Sequence, residues 1–190
     1  MPHTEQLDTK RLYLRTLAES DCGELYRLTS TYPQIAEHMT WNPPKNYDEV
    51  RQKFLDNRKT DDRHFGVFVR ETDEFMGRIT VRNFHLMQQD AEKNSVFLSF
   101  WLSPEQQGKG YGTEVLTEVC RYCIVDLKIR KIFAGTFAEN MASQKLLLKT
   151  GFREIGTLRK HYLKNGIFYD SLRFELLNED FLANRTAPTD

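Results

Sequence analysis

The stretch Leu102-Ser103-Pro104-Glu105-Gln106-Gln107-Gly108-Lys109-Gly110-Tyr111-Gly112-Thr113 decides the fold of this chain. It connects an apolar run that predicts a strand, 95–102, to apolar residues at helical spacing, 114–127. Its three glycines stand at alternate positions, so the backbone can approach an object that side chains would exclude. A glycine-rich turn that opens a helix directs free N–H groups and the positive helix end to one point. We therefore predict an anion site here.

The composition is that of a chain of ordinary size and balanced charge. Its 190 residues suffice for one domain, which we place at 1–182, with 183–190 as a flexible tail. Lys plus Arg and Asp plus Glu each total 27, so no net charge draws the protein to nucleic acid or to an anionic membrane. Residues 1–11 lack the apolar core of a secretory signal, and no apolar run reaches the ~18 residues of a membrane span. We therefore expect a cytoplasmic protein.

The cysteines and histidines give no sign of a metal or redox site. Three cysteines, an odd number, do not suit a disulfide framework. Cys120 and Cys123 form a C-x-x-C, but both fall on the apolar face of the predicted helix, so we predict that they are small core residues. The histidines show no i, i+4 pair of the kind that binds zinc, and we expect no metal.

Apolar alternation and helical periodicity predict the remaining elements. Before the glycine-rich stretch they predict a strand at 10–16, a helix after Ser20 and Asp21, a loop that carries Trp41, a helix from Tyr47 to about Lys59, and a hairpin of 65–70 with 75–84. After it they predict a strand at 131–137, a helix capped by Asn140, and a hairpin of 152–163 with 167–176 that turns at Asn165-Gly166. The alternation of strand and helix from 94 to 150 indicates a parallel strand pair with a crossover helix.

Spacing separates the glycine-rich turn from two other phosphate loops. A nucleoside triphosphate loop needs Gly at position 103 and Ser or Thr at 110, where this chain has Ser103 and Gly110. A dinucleotide fingerprint needs Gly at 113 or 115, where Thr113 and Val115 stand. The pattern that remains is Gln107-x-x-Gly110-x-Gly112.

That pattern, after a Leu-Ser-Pro-Glu strand end, resembles the acyl-coenzyme A loop of the GNAT N-acetyltransferases. The resemblance covers residues from about 9 to 177. Within the family, the chain is similar to the RimJ/RimL branch at six places: Trp101 to Glu105, Gly112-Thr113-Glu114, Asn140-x-x-Ser143, Gly151-Phe152, Gly156 to Arg159, and Asn165-Gly166 to Asp170. It implies an α/β (α+β) fold with a twisted, mostly antiparallel sheet flanked by helices, in which one parallel pair splays at the acetyl-CoA site. It also implies acetyl transfer to a primary amine, in this branch the N-terminal amine of ribosomal proteins. Homodimers are common in the branch.

The resemblance also implies roles for particular residues. The expected acetyl-CoA contacts are Leu102, Gln107, Gly108, Lys109, Gly110, Tyr111, Gly112, Thr113, Asn140 and Ser143. The Leu102 backbone N–H would bind the thioester oxygen, and Ser143 would protonate or hydrogen-bond the departing sulfur, so these are the catalytic candidates. The acceptor pocket is expected to be bordered by Trp41, Tyr47 and Tyr162.

The chain departs from the family's pattern where an acid and a base are usual. Leu147 stands where many relatives have Tyr, and Phe97 and Ser99 align with a Glu and a Gly. The base is therefore left open among His85, Glu154, His161, Tyr162 and Asp170. An α-amine with a pKa near 8 is roughly 10% neutral at pH 7, and a lysine-like amine only about 0.04%, so a missing base favours an α-amine or a sugar amine.

Two alternatives stay open at this point. A polyamine, amino sugar or antibiotic could be the acceptor, and Glu37, Asp48 and Glu49 near Trp41 could supply the acidic pocket that a polyamine needs. The chain could also bind acetyl-CoA as a sensor without turnover, since the usual Tyr and Glu are missing.

Overall fold

The computed structural model describes residues 5–83 and 94–186, with side chains to residue 183. Within these residues the strands are β1 (Gln6–Asp8), β2 (Leu12–Thr16), β3 (Arg63–Val69), β4 (Phe75–Asn83), β5 (Ser95–Leu102), β6 (Lys131–Phe137), β7 (Arg153–Lys164) and β8 (Ile167–Leu177). The helices are α1 (Cys22–Thr31), α2 (Tyr47–Asn57), α3 (Tyr111–Arg121), α4 (Met141–Lys149) and α5 (Asn178–Thr186). The strands form one sheet in the order β1-β2-β3-β4-β5-β6-β8-β7. Only β5 and β6 pair in parallel among the described strands, which confirms the predicted fold class.

Helices cover both faces of the sheet. On one face, α3, α4 and α5 enclose the larger core, which contains Val96 and Leu98 of β5 together with Val119 and Leu147. On the other face, α1 and α2 enclose a smaller core that includes Trp101 of β5. Successive β5 side chains thus point to opposite layers, which explains why this central strand is apolar in an unbroken run.

Local chemistry sets the ends of several elements as predicted. The Asn140 side chain accepts a hydrogen bond from the Ser143 N–H (3.1 Å), which caps α4, and Asn46 caps α2 by accepting from the Glu49 N–H (2.9 Å). The β7–β8 hairpin turns at Asn165 and Gly166 with φ of 51° and 80°, as a type I′ turn requires. Both hairpin strands match their predicted ranges within a residue or two.

Cys120 and Cys123 lie in the larger core with no exposed surface. Burial raises the pKa of the Cys120 thiol well above its usual range and that of Cys123 to about 12. Both are therefore protonated core residues, as predicted, since a redox pair would need an accessible thiolate.

Some elements differ from the prediction. The three-residue strand β1 was not predicted, because so short a run leaves no periodicity to detect. The helix after the glycines keeps α-helical geometry to Arg121 and continues as a π-helical turn, Tyr122–Asp126. Helix α5 includes 183–186, the first part of the expected tail. The predicted polar connection at 85–93 lies outside the described residues.

Candidate active site

The two parallel strands separate halfway along their length. Their pairing is limited to four positions, from Ser95 with Lys131 to Leu98 with Ala134. Beyond these, β5 continues to pair with β4 as far as Leu102, and β6 continues to pair with β8 as far as Phe137. A gap therefore opens between Ser99–Leu102 and Gly135–Phe137, as the expected splay requires.

The register of β4 and β5 shows which backbone groups face this gap. The Ser103 N–H donates to the Met76 carbonyl (2.7 Å) across the antiparallel pair. Because hydrogen-bonding direction alternates along an antiparallel strand, the N–H groups of Phe100 and Leu102 point away from β4, into the gap. The Leu102 carbonyl also faces this side and accepts a hydrogen bond from the Gln107 side chain (3.2 Å). The gap thus offers unpaired backbone donors at the depth of the sheet.

The glycine-rich turn has the conformation that its composition predicts. Gly108 and Gly110 have φ of 74° and 80°, in the left-handed region that glycine adopts without strain. Gly112 lies in the first turn of α3, where an added Cβ would be 3.0 Å from Leu146 Cδ2. Two of the glycines are thus required by backbone conformation, and the third allows α3 to approach α4.

The backbone donors of this turn are unused. The N–H groups from Gly108 to Thr113 donate no hydrogen bond within the described chain, whereas Gln107 donates to Pro104 and Glu114 donates to Gly110 (3.2 Å each). Residues 107–110 are exposed. A run of free donors at the positive end of a helix fits a diphosphate without requiring a cation.

An ion pair that the sequence did not reveal holds this turn against β2. Glu114 in the first turn of α3 accepts hydrogen bonds from the Arg11 backbone N–H (2.7 Å), the Arg11 side chain (2.7 Å) and the Thr9 hydroxyl (2.6 Å). Arg11 also donates to the Lys109 carbonyl (2.9 Å) and stacks over the Tyr111 ring at 4.4 Å. Burial alone would raise the pKa of Glu114, but these donors outweigh it and lower that pKa. The only sequence signal was an acidic residue beside a predicted anion site, which calls for a compensating cation.

Helix α4 brings Asn140 and Ser143 to the same end of the fold. The Asn140 carbonyl oxygen is used in the cap, which leaves its amide N–H groups available. Ser143 is half-buried, and its hydroxyl makes no hydrogen bond within the described chain. Leu147, where relatives often carry a phenol, is fully buried in the larger core. The structure therefore provides a hydroxyl, but no phenol, on this helix.

A cavity of about 910 Å³ lies on the opposite face of the sheet, beneath α2 and the loop that carries Trp41. Ser99 and Trp101 of β5 line it, so it reaches the strand that borders the gap. Its charged lining comprises six cations, Arg15, Lys53, Arg58, Arg63, Arg78 and Arg82, and four carboxylates, Glu5, Glu19, Asp61 and Asp62. A cavity of this size can hold a small molecule or a peptide end.

The three expected acceptor residues have different positions. Trp41 lines the cavity, whereas Tyr47 begins α2 with 40% of its surface exposed and is not among the lining residues. Tyr162 on β7 stacks on Phe137 at 4.7 Å, and its hydroxyl would be 3.3 Å from a Cβ at Gly135, on the β6 wall of the gap. Trp41 thus lines the cavity and Tyr162 borders the gap, whereas Tyr47 lies at the start of α2 on the same face without lining the cavity.

The loop with Trp41 is held by the β7–β8 hairpin. The Asn42 side chain donates to the Asn165 side chain (3.0 Å). Lys164 donates to the carbonyls of Ala36 and Glu37. These contacts close the acceptor side above the sheet.

The candidate bases that the structure describes differ in their surroundings. Asp170 accepts from the Lys160 N–H (2.7 Å), and Glu154 is exposed on the edge strand. Partial burial and Arg173 lower the pKa of His161, whose Nε2 lies 2.6 Å from the guanidinium. Tyr162 lies at the gap, as described above, and His85 is outside the described residues.

Within residues 5–83 and 94–186, no group of three or more His, Cys, Asp or Glu side chains is arranged to hold a metal. No helix in these ranges is long and apolar enough to cross a membrane.

Comparisons with known proteins agree with this geometry. Residues 11–153 match the model of the acetyltransferase (GNAT) domain. The probable N-acetyltransferase YjcK of Bacillus subtilis is 29% identical, over 92% of this chain and 98% of the relative. The [ribosomal protein uS5]-alanine N-acetyltransferase of Escherichia coli is 24% identical, over 95% and 94%.

Relatives with another acceptor match as well. The spermidine N(1)-acetyltransferase of Vibrio cholerae is 24% identical, over 90% of this chain and 96% of the relative. A crystal structure of a Vibrio cholerae spermidine N-acetyltransferase in complex with CoA and spermine superposes with a TM-score of 0.78 at 22% identity, over 92% of this chain and 99% of that one. The family model and the full-length relatives together show that this chain belongs to the GNAT acetyltransferases, and is an N-acetyltransferase that uses acetyl-CoA.

Proposed function

We propose that this enzyme acetylates the α-amine of a protein N-terminus. Its named relatives act on a ribosomal protein and on spermidine, so the choice of acceptor has to come from the site. The observation that carries the proposal is the cation-rich lining of the acceptor cavity.

Acetyl-CoA supplies an activated acetyl group as a thioester. Its diphosphate is placed on the free N–H groups from Gly108 to Thr113, where the helix dipole contributes about 0.3 to 1 kcal/mol for each charge. Lys109 lies beside this run, and its ammonium donates to the Gln106 side chain (3.0 Å), so it is held near the anion without pairing to a carboxylate. Gln107 contacts the cofactor while bonded to the Leu102 carbonyl.

The pantetheine arm enters the gap between β5 and β6. The Leu102 N–H, which points into this gap, binds the thioester oxygen and stabilises the oxyanion that forms as the amine attacks. Loss of one such donor in other enzymes costs about 2.7 to 4 kcal/mol. The Asn140 amide contacts the arm, and the unengaged Ser143 hydroxyl donates to the departing sulfur.

The lining of the cavity is unsuited to a polycation. Glu5 is paired with Arg63, Glu19 with Arg51, Asp62 with Arg82, and Arg15 with Asp21. Among the described residues this leaves three lining cations without an ion pair, Lys53, Arg58 and Arg78, against one carboxylate, Asp61. The acids that could have formed a polyamine pocket, Glu37, Asp48 and Glu49, do not line it. Spermidine, with several ammonium groups, would be repelled here.

The same charge helps an α-amine to react without a strong base. Nearby cations disfavour the ammonium form and lower the amine's pKa. An α-amine starts near pKa 8, so a modest further decrease makes most of it neutral at pH 7. A lysine-like amine near 10.4 would need a shift of more than three pH units.

Thiol release from acetyl-CoA tests this proposal with a panel of acceptors. The panel contains peptides with a free N-terminus, the same peptides blocked at the N-terminus but carrying a lysine, spermidine, and an amino sugar. We expect release with the free peptides and mass-spectrometric location of the acetyl group on the α-amine. Release with spermidine or the amino sugar, and none with any free peptide, would overturn the proposal. The Gly110→Glu variant, which fills the diphosphate turn, serves as the inactive control.

We also propose that the enzyme forms a homodimer through strand β7. This strand is an edge of the sheet, and Ile155, Leu158 and Leu163 on it are 49%, 42% and 61% exposed. Exposed apolar side chains on an unpaired edge favour association. Light scattering after size exclusion should show a dimer that Ile155→Lys weakens, and a monomeric wild type would refute the assembly.

A further inference from the structure

Two arginines flank the gap on the acceptor face, and neither has a carboxylate partner within residues 5–83 and 94–183. Arg78 on β4 pairs in register with Trp101 of β5, and Arg173 on β8 pairs with Gly135 of β6. Their strands are each one removed from the gap, on opposite sides of it. The register places both side chains on the face that carries Ser99 and Trp101. Positive charge thus stands on both sides of the place where the amine must arrive.

The hydrogen bonds that Arg78 makes within the described residues go to neutral groups, and Asp62 lies near enough only to offset part of the lowering of the Arg78 pKa. Its guanidinium lies 3.2 Å from the Thr80 hydroxyl and 2.9 Å from His64 Nδ1, and within the described chain it forms no ion pair. Burial, Arg78 and Arg82 lower the pKa of His64 to about 3, so this histidine is neutral and accepts from Arg78. Burial likewise lowers the pKa of Arg78 to about 10, which still leaves it cationic at pH 7.

Three of the other cavity arginines have carboxylate partners, and the fourth, Arg58, has none among the described residues but is exposed to solvent. Arg15 makes a bidentate pair with Asp21 (2.7 Å for each contact), and Arg63 and Arg82 lie 3.2 and 3.8 Å from Glu5 and Asp62. A half-buried guanidinium without a carboxylate is unfavourable in the free protein. Its hydrogen bonds to Thr80 and His64 involve neutral groups, so they leave the positive charge without an ion-pair partner among the described residues.

Arg173 has a comparable environment across the gap. It contacts His161 Nε2 at 2.6 Å and lies over the rings of Phe97 (5.6 Å) and Tyr162 (5.9 Å). Its Nε is buried and has no hydrogen-bond partner in the described chain. Arg173 is thus a second cation on the same face without a carboxylate partner among the described residues, which strengthens the case that the partner is an anion from outside the protein.

We propose that the acceptor carries a carboxylate close to its amine, and that Arg78 binds this carboxylate and selects the acceptor. The inference rests on the proposed function, because it places the acceptor in the cavity beside Ser99. Neighbouring strands are ~4.8 Å apart, so a carboxylate on Arg78 lies roughly 5 to 10 Å from an amine at the gap. That distance fits an acidic side chain at the first or second position of a peptide. It also fits a small amino acid.

Matched acceptors test the inference in the wild-type enzyme alone. The kcat/KM for acetylation is compared within three pairs of acceptors. The first pair is peptides with aspartate or asparagine at position one, the second is peptides with glutamate or glutamine at position two, and the third is alanine and alaninamide. Charge-assisted hydrogen bonds are roughly twice as strong as neutral ones, and an amide leaves the buried charge of Arg78 unpaired, so we expect a preference for the acid of roughly 10- to 100-fold. A preference confined to the peptides assigns the carboxylate to a side chain, and one confined to alanine assigns it to a free amino acid. Equal rates for acid and amide in every pair would overturn the inference.

Two variants then attribute the preference to Arg78. In Arg78→Gln we expect the ratio of acid to amide to fall towards one, whereas Arg27→Gln, which removes an exposed α1 arginine outside the cavity, should keep the wild-type ratio. An unchanged ratio in folded Arg78→Gln would refute the role of Arg78. The outcomes also separate the two proposals: acetylation of peptides without acid preference refutes only this inference, and absence of any peptide acetylation refutes the proposed function.

Discussion

Replacing Gly110 with alanine should destabilise the cofactor-bound protein, and the backbone conformation of Gly110 determines by how much. Gly110 has φ of 80° and ψ of 0° at the N-cap of α3, a left-handed conformation that costs an alanine roughly 1 to 2 kcal/mol. The added Cβ would lie 3.4 Å from the Arg11 guanidinium, an ordinary contact, so strain of the backbone is the main effect. The turn then either keeps its conformation at that cost or relaxes to another.

In both cases the loss of folding stability and the loss of CoA binding free energy add up to the same amount. If the turn keeps its conformation, the free energy of unfolding of the free protein falls by about 1 to 2 kcal/mol and CoA affinity is retained. If it relaxes, stability is retained and CoA binds roughly 5- to 30-fold more weakly, since 1.4 kcal/mol corresponds to tenfold. Urea unfolding combined with titration calorimetry of CoA measures both terms.

Gly112→Ala provides the matched control two residues away. Its position is helical, so alanine gains up to about 1 kcal/mol in helix propensity, against a close contact with the movable end of Leu146. We expect a net change within about 1 kcal/mol and near-normal CoA binding. Wild-type stability together with wild-type CoA affinity in Gly110→Ala would refute the reasoning.

Three further predictions concern catalysis, an internal ion pair and pH. Ser143→Ala should lower kcat about tenfold with little change in CoA affinity, and an unchanged kcat would remove Ser143 from catalysis. Asp21→Ala should lower the free energy of unfolding by about 3 kcal/mol, because Arg15 loses its partner in a largely buried site. Glu24→Ala, which breaks a half-exposed pair with Arg27, should lower it by less than about 1 kcal/mol. Equal losses for the two variants in urea unfolding would contradict this reasoning. His64, with a folded pKa of about 3 against 6.5 when unfolded, contributes stability above pH 6.5 that is lost as the pH falls towards 3, by at most about 1.4 kcal/mol per pH unit. The urea midpoint of the wild-type protein should therefore fall between pH 7 and pH 5, and that of His64→Gln should fall less. An equal fall in the two proteins would show that another group is responsible.

The sequence predicted those parts of the fold that local chemistry determines. The glycine spacing, the Asn140 cap and the Asn165-Gly166 turn each require particular residue types at adjacent positions, so single-sequence reasoning reached them. The strand β6 was predicted with its observed bounds because it alternates cleanly between two polar connections. The splay followed only from family resemblance, since a change in pairing partner leaves no mark on periodicity.

The parts of the site that could not be predicted depend on contacts between distant segments. Arg11 and Glu114 are 103 positions apart, and nothing in either neighbourhood specifies the other. The cavity is lined by α1, α2 and the strands β2, β3, β4 and β5, so its excess of positive charge appears only when these elements come together. The available signal was Arg78 in the middle of a predicted strand, whereas Arg82 near the end of that strand is exposed and pairs with Asp62.

The gap between β5 and β6 makes this sheet uneven in its protection from solvent. The N–H groups of Ser99 and Trp101 are bonded to β4, while those of the alternate residues Phe100 and Leu102 face the gap. Amide hydrogens at the centre of an eight-stranded sheet ordinarily exchange slowly, only through large-scale opening. Here fast and slow exchange should alternate residue by residue along one strand, and the fast positions should slow when the arm of the coenzyme occupies the gap. The middle of the sheet would then owe part of its rigidity to a molecule that is replaced at every turnover.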